Sequence, residues 1–370
     1  MYFRCSIFHP VTRRKPVPCW CALQSSVRRE IMLTVNLDKD LCLKCTTIDC
    51  LVRCRYLGLD LEQATQERDR LMAEENSQVL EDCVTCYACE EYCPYGNHPF
   101  YLIVELQERH GIHPVPKEIE EHQVASLAPK GKIQYREMHA PVIDLCTFPM
   151  LKDSITGPLF ENASFFWGTD VFCNLMYLHF GKTSLINERL QKNIDNIWNF
   201  YLKPNNLDTL VCYHDECYAT FTSYAQAYGI EVPFTPVHLF DFIIERLTEL
   251  KDRIIPLNIR AAYHRNCSNR LIPETHDRVD EIFQMIGVER VERQYEDDNT
   301  LCCGLSFDAQ QRKDLARDTQ KKILDDIQTS GATYCVYNCP MCLFTLQDKV
   351  RSINVTPILM PDLCQKALGA

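Results

Sequence analysis

Twenty-two of the 370 residues are cysteines, and the spacing of most of them suggests metal chemistry. Cys83, Cys86, Cys89 and Cys93 follow the pattern C-x2-C-x2-C-x3-C, with Pro94 directly after. In that spacing three thiolates wrap one [4Fe–4S] cube while the fourth reaches across to another. A zinc knuckle would need two Cys pairs for its four ligands and leaves the third Cys and the Pro unexplained. Upstream, Cys42, Cys45, Cys50 and Cys54 form a partner run whose second gap holds four residues and whose expected Pro is Arg55. Cross-ligation then assigns Cys42, Cys45, Cys50 and Cys93 to one cluster and Cys54, Cys83, Cys86 and Cys89 to the other.

A third set lies in the last third of the chain. Cys267 is followed after 34 residues by Cys302, Cys303 and Gly304, and 35 residues later by Cys339, Pro340, Met341 and Cys342. Five thiolates exceed the four of a cube or of a tetrahedral zinc site, which implies a larger cluster.

This spacing resembles the CCG motif of the heterodisulfide reductase family, and Tyr263, His264, Arg265, Asn266 and Cys267 resemble the Tyr-His-Asp-Pro-Cys run that opens it. The resemblance implies a noncubane [4Fe–4S] cluster held by Cys267, Cys302, Cys303, Cys339 and Cys342. It extends over about 36–360: the first unit is similar to the family's ferredoxin-type component, and its fusion to a CCG region is similar to the family's single-chain type. The widened gap in the first run resembles both the [4Fe–4S] runs of molybdopterin-enzyme subunits and the [3Fe–4S] run of seven-iron ferredoxins, in which Cys45 would not be a ligand.

The chain also departs from the family pattern. Arg265 and Asn266 replace Asp and Pro, and an earlier half-repeat offers only Cys146, Cys173 and the pair Cys212 and Cys217, with Phe172, Cys173 and Asn174 where Cys-Cys-Gly is expected. The favoured reading is a degenerate half that keeps its fold and has lost its metal; the other is a second noncubane cluster with altered ligation. Cys335 and Cys364 read as buried or incidental thiols. His214 and His264 adjoin cluster cysteines and are readable either as proton donors to a reduced thiolate or as packing residues.

Positioning these residues requires a multidomain architecture: a mainly α-helical ferredoxin-type domain, then an α/β domain of two pseudo-repeated Rossmann-like halves. The expected divisions are an irregular extension at 1–32, a two-cluster unit at 33–110 with a helix over 59–75, a Pro-marked linker at 111–140, a degenerate half at 141–255 and a complete half at 256–370. Strands are expected within 141–148, 164–172, 209–213, 260–263 and 333–337, and helices over 184–201, 239–250, 274–286 and 308–329. The repeat shows in Val211, Cys212 and Cys217 before Thr235-Pro236, echoed by Val336, Cys339 and Cys342 before Thr356-Pro357.

Composition narrows the function further. A net charge of −11 argues against nucleic acid or an anionic membrane as partner, since both are bound through basic patches. Residues 1–35 hold no uninterrupted apolar run of a secretory signal, Arg13-Arg14 and Arg28-Arg29 lack the apolar stretch of a twin-arginine signal, and no segment is long and apolar enough to span a membrane. A cytoplasmic protein is expected, with Met32 as an alternative start that would leave Cys5, Cys19 and Cys21 without meaning.

Two functions fit. In the first, a heterodisulfide reductase-like enzyme takes electrons through the ferredoxin-type clusters and reduces a disulfide or thiol-derived substrate. In the second, the chain is an iron–sulfur subunit similar to those of glycolate, lactate or glycerol-3-phosphate dehydrogenases, relaying electrons from a flavin subunit. No G-x-G-x-x-G follows a strand, so both require a flavin-containing or other electron-donor partner.

Overall fold

Two four-stranded sheets with the same strand order underlie the C-terminal two-thirds of the chain. The structure, a computed structural model, describes residues 34–370; the extension at 1–32, with Cys5, Cys19, Cys21, both Arg pairs and Met32, lies outside the described residues. The first sheet contains β1 (Val142–Asp144), β2 (Ser164–Phe166), β3 (Thr209–Cys212) and β4 (Thr235–His238) in the order β2-β1-β3-β4. The second contains β5 (Ile259–His264), β6 (Val288–Arg290), β7 (Tyr334–Tyr337) and β8 (Thr356–Leu359) in the order β6-β5-β7-β8. All pairings are parallel, with helices in the crossovers.

The inner strands β1, β3, β5 and β7 are short runs whose residues are almost all buried, the pattern expected of parallel sheets covered on both faces. The outer strands β4 and β8 carry Pro236 and Pro357, tolerable because a sheet edge leaves one row of N–H groups unused.

The N-terminal region is helical. Leu61–Met72 begins with a capping box, in which the Asp60 carboxylate accepts from the Gln63 N–H and the Gln63 side chain accepts from the Asp60 N–H. Pro99–Arg109 is buried along nearly its whole length and packs onto Thr183–Ile197 of the first half. The 111–140 segment is more than a linker, since it contains the helix Lys117–Ser126. The helix expected over 308–329 is two helices, Leu305–Ala309 and Lys313–Ser330, broken where Gln311 turns left-handed.

One apolar core runs through both sheets, joining Ile143, Val211 and Leu239 of the first half to Ala261, Val336 and Leu346 of the second. A fully buried polar network crosses the same boundary. Asp215 accepts from Asn338 at 2.8 Å, pairs with His238 at 2.8 Å and accepts from Asn269 at 3.3 Å. Burial works against its ionisation, but the His238 hydrogen bond and charge hold the carboxyl well below the usual range.

Asp215→Ala would strand these partners in the core. The expected loss of unfolding free energy is about 3–5 kcal/mol, read by denaturant titration at matched metal content, with Asp215→Asn losing less.

Candidate metal centres

The N-terminal thiols converge because the chain turns sharply between them. Ile48, Thr85, Tyr87 and His98 all have positive φ, between 49° and 65°, a costly conformation for such side chains that often marks functional sites. Cys42, Cys45, Cys50 and Cys93 face one another. Burial pushes the Cys50 thiol up to about 12, helped by the charges of Cys93, Cys42 and Cys45. Cys83 also stands at about 12, from burial and then Cys86, with Cys54 adding to the rise. Cys89 is raised by burial and by Cys83 and Cys86.

Several N–H groups point at these sulfurs. Asn97 donates from its side chain to Cys42 Sγ at 3.0 Å and from its backbone to Cys93 Sγ at 3.3 Å, and Thr85 N–H approaches Cys83 Sγ at 3.4 Å. Donors aimed at sulfur favour the thiolate, the form a metal requires. This chemistry suits iron–sulfur ligation. Nothing in the sequence flagged Asn97.

The five cysteines of the second half form an arc. Cys267 lies beside Cys302, Cys302 beside Cys303, Cys303 beside Cys342 and Cys342 beside Cys339. Cys302 is held well below the usual thiol range by hydrogen bonds from Cys267 and Cys303, and Cys339 by those from Cys342 and then His214. Gly304 has φ +92°, and a Cβ there would sit 2.9 Å from Gln320 Nε2, which donates to the Cys303 carbonyl at 2.9 Å. The Gly304 N–H also points at Cys302 Sγ, 3.4 Å away. Glycine at this position lets the backbone fold over the paired thiols.

In the first half Cys146, Cys173 and Cys217 place their sulfurs within 4.8 Å of one another, all buried. Cys212 is not among them; its sulfur faces the Leu210 carbonyl at 4.0 Å. Sheet register explains the difference. Asp144 pairs with Cys212 and His264 with Tyr337, so Cys212 occupies the position of Tyr337. Two residues on, His214 stands where Cys339 does; five residues on, Cys217 stands where Cys342 does. The motif counterpart of Cys339 and Cys342 is therefore His214 and Cys217, and the expected pair of Cys212 with Cys217 is corrected. A half read as having lost its metal keeps three of its candidate thiols together.

A cavity of about 340 Å³ separates the halves. The five-cysteine arc lines it from one side, and Cys146, His179, His214 and Glu216 from the other. His214 Nε2 lies 3.3 Å from Cys339 Sγ; although burial works against its charge, the Cys339 thiolate and Glu216 raise it to about 10. His179, which the sequence did not single out, lies 3.9 Å from Cys267 Sγ and is lowered to about 4 by burial. His264 does not reach the cavity and packs beside Tyr337 in the core, and Cys335 and Cys364 are buried away from the arc.

Residues 261–347 match the model of the CCG family, a cysteine-rich domain. With the buried thiol triad of the first half, the match points to an iron–sulfur, metal-binding protein. No curated protein matches the chain. Among solved structures, one described as the crystal structure of a hypothetical protein from Helicobacter pylori is similar at 12% identity and a TM-score of 0.49, covering 84% of this chain and 66% of that one. Among the described residues, no helix is long and apolar enough to cross a membrane.

The CCG domain is fastened to the N-terminal thiols through ion pairs. Glu91, between Cys89 and Cys93, accepts from Arg265 at 2.7 Å and from Arg270 at 2.6 Å. Arg270 also donates to the carbonyls of Asp298 and Thr300, just before Cys302, and lies over the Tyr92 ring. A narrow gap at this junction is lined by Tyr56, Cys86, Cys267 and Cys302. The second N-terminal set and the CCG arc are thus neighbours.

Because Cys217 and not Cys212 belongs to the triad, any metal that the first half holds is expected to be lost in Cys217→Ser. Cys212→Ser should leave it unchanged, with both read by elemental analysis of anaerobically purified protein.

Proposed function

We propose that this chain is an iron–sulfur oxidoreductase that takes electrons through two N-terminal clusters to a noncubane cluster in its CCG domain and there reduces a disulfide, as heterodisulfide reductases do. The ligands in this reading are Cys42, Cys45, Cys50 and Cys93 for the first cluster and Cys54, Cys83, Cys86 and Cys89 for the second, both [4Fe–4S]. Cys267, Cys302, Cys303, Cys339 and Cys342 hold the third. The observation that carries the reading is the cavity over the five-thiol arc, since a relay protein needs wiring but no chamber beside its last centre.

When bound, the clusters supply single electrons, whereas a disulfide takes two. The protein's own residues supply the rest. The Glu91 ion pairs hold Cys86 near Cys302, and His214 keeps a proton beside Cys339. Electrons enter from a donor protein, in this reading a flavoprotein, because the chain carries no dinucleotide fingerprint of its own. The relay reading, with a glycolate, lactate or glycerol-3-phosphate dehydrogenase as the donor, shares the wiring but gives the cavity no use.

Anaerobic iron and sulfide analysis with EPR spectroscopy tests the assignment. Cys303→Ala is expected to remove about four irons per chain and to abolish an EPR signal of the oxidised protein that depends on added thiol, while the two N-terminal signals persist. Unchanged iron content in Cys303→Ala would sink the noncubane assignment.

A further inference from the structure

The walls of the cavity restrict what reaches the arc. Beyond the thiols, its surface is mainly apolar, with Ile119, Leu127, Phe148, Phe180 and Met341 among its lining. Ile119 and Gln123 come from the helix Lys117–Ser126, whose chain continues into Leu127, so this segment forms one wall. Glu216 is the one carboxylate, and no Lys or Arg lines the cavity among the described residues.

The basic side chains there are His179 and His214, and both already face sulfur: His179 lies 3.9 Å from Cys267 Sγ, and His214 lies 3.3 Å from Cys339 Sγ and 3.7 Å from Glu216. The cationic side chains near the arc, Arg265 and Arg270, are turned to Glu91 on the other side of the CCG loops. A carboxylate or phosphate entering this chamber would lose its water in a mainly apolar space and meet no Lys or Arg as counter-charge. Such desolvation is strongly unfavourable. An uncharged group with apolar flanks gains from the same transfer.

We propose that the substrate is a small disulfide without anionic groups, seated by its apolar flanks between the Lys117–Ser126 wall and the five-cysteine arc. This rests on the disulfide reductase reading and narrows it to one chemical class. The reaction balances as R–S–S–R′ + 2 e⁻ + 2 H⁺ → R–SH + R′–SH. The S–S bond breaks, two S–H bonds form, the electrons come singly from a one-electron donor through the N-terminal thiol sets, and the protons come from solvent. The size of the chamber, about 340 Å³ with part of it occupied by any cluster on the arc, is at the low end for ligand sites.

The test uses the anaerobically purified full chain with reduced methyl viologen as donor. The probes are two disulfides of similar length, neutral bis(2-hydroxyethyl) disulfide and anionic dithiodiglycolate. The expected result is a kcat/KM at least about tenfold higher for the neutral probe. Intrinsic reactivity is controlled by Gln123→Arg, which places a cation in the wall and should reduce that ratio at least about tenfold. A binding readout runs in parallel: 2-mercaptoethanol should perturb the EPR spectrum of the oxidised protein at lower concentration than mercaptoacetate does.

Equal or better use of dithiodiglycolate, or a ratio that Gln123→Arg leaves unmoved, overturns the proposed substrate class while leaving the reductase reading standing. If viologen reduces the centres but neither disulfide is turned over, the reductase reading fails and this proposal fails with it.

Discussion

The arrangement of the cysteine sets depends on one half-buried carboxylate. Glu91 sits inside the second cysteine run and accepts from two guanidinium groups of the CCG domain, Arg265 and Arg270, both nearly inaccessible to solvent. Buried ion pairs of this kind contribute little net stability, because taking the charges out of water offsets most of their attraction. Their value is geometric. A bidentate carboxylate between two planar guanidiniums fixes orientation as well as distance. Arg270 carries that orientation to the carbonyls just before Cys302, and Glu91 carries it to Cys89 and Cys93. Loss of either arginine would leave Glu91 partly uncompensated in the interior and free the two sets of thiols to move apart.

The two sheets show how one ladder supports different chemistry. Both halves end their third strand at equivalent positions and both turn into a helix just after it, Asp215–Ala219 in the first half and the longer Pro340–Ser352 in the second. The substitution of His214 for a cysteine at the position of Cys339 removes one donor from the first half. The imidazole does not point back to its own triad but crosses the cavity to the Cys339 sulfur, so the first half gives up a ligand and supplies a neighbour to the second half's arc. Asp215, next in sequence, ties the same turn to Asn338 and Asn269, which keeps that crossing in register.

Much of this was legible in the sequence, and the misses share causes. The inner strands were readable because buried parallel strands are short apolar runs between turns. The outer strands β4 and β8 were not, since Pro236 and Pro357 argue against a strand until its place at a sheet edge is known. Prolines also made 111–140 look like a linker, although Pro116 is the cap of the helix that walls the cavity. Thiol spacing located the five-cysteine set, but counting cysteines without register paired Cys212 with Cys217. His179, Glu216 and Asn97 carry no local signature at all; each matters only because distant segments bring it against a sulfur or into the chamber.

Register also bears on two-electron chemistry. In the reductase reading a disulfide takes two electrons, and one CCG arc fed by single-electron steps would have to hold its substrate half-reduced. The chamber is not bounded by that arc alone. Cys146 lines it from the opposite side, and Cys173 and Cys217 stand behind Cys146 with their sulfurs within 4.8 Å. Two thiol groups from two halves thus face one enclosed space, with His214 between them. The incomplete first half is therefore not idle scaffolding: in the reductase reading its thiols stand where a partner in a paired electron transfer would be.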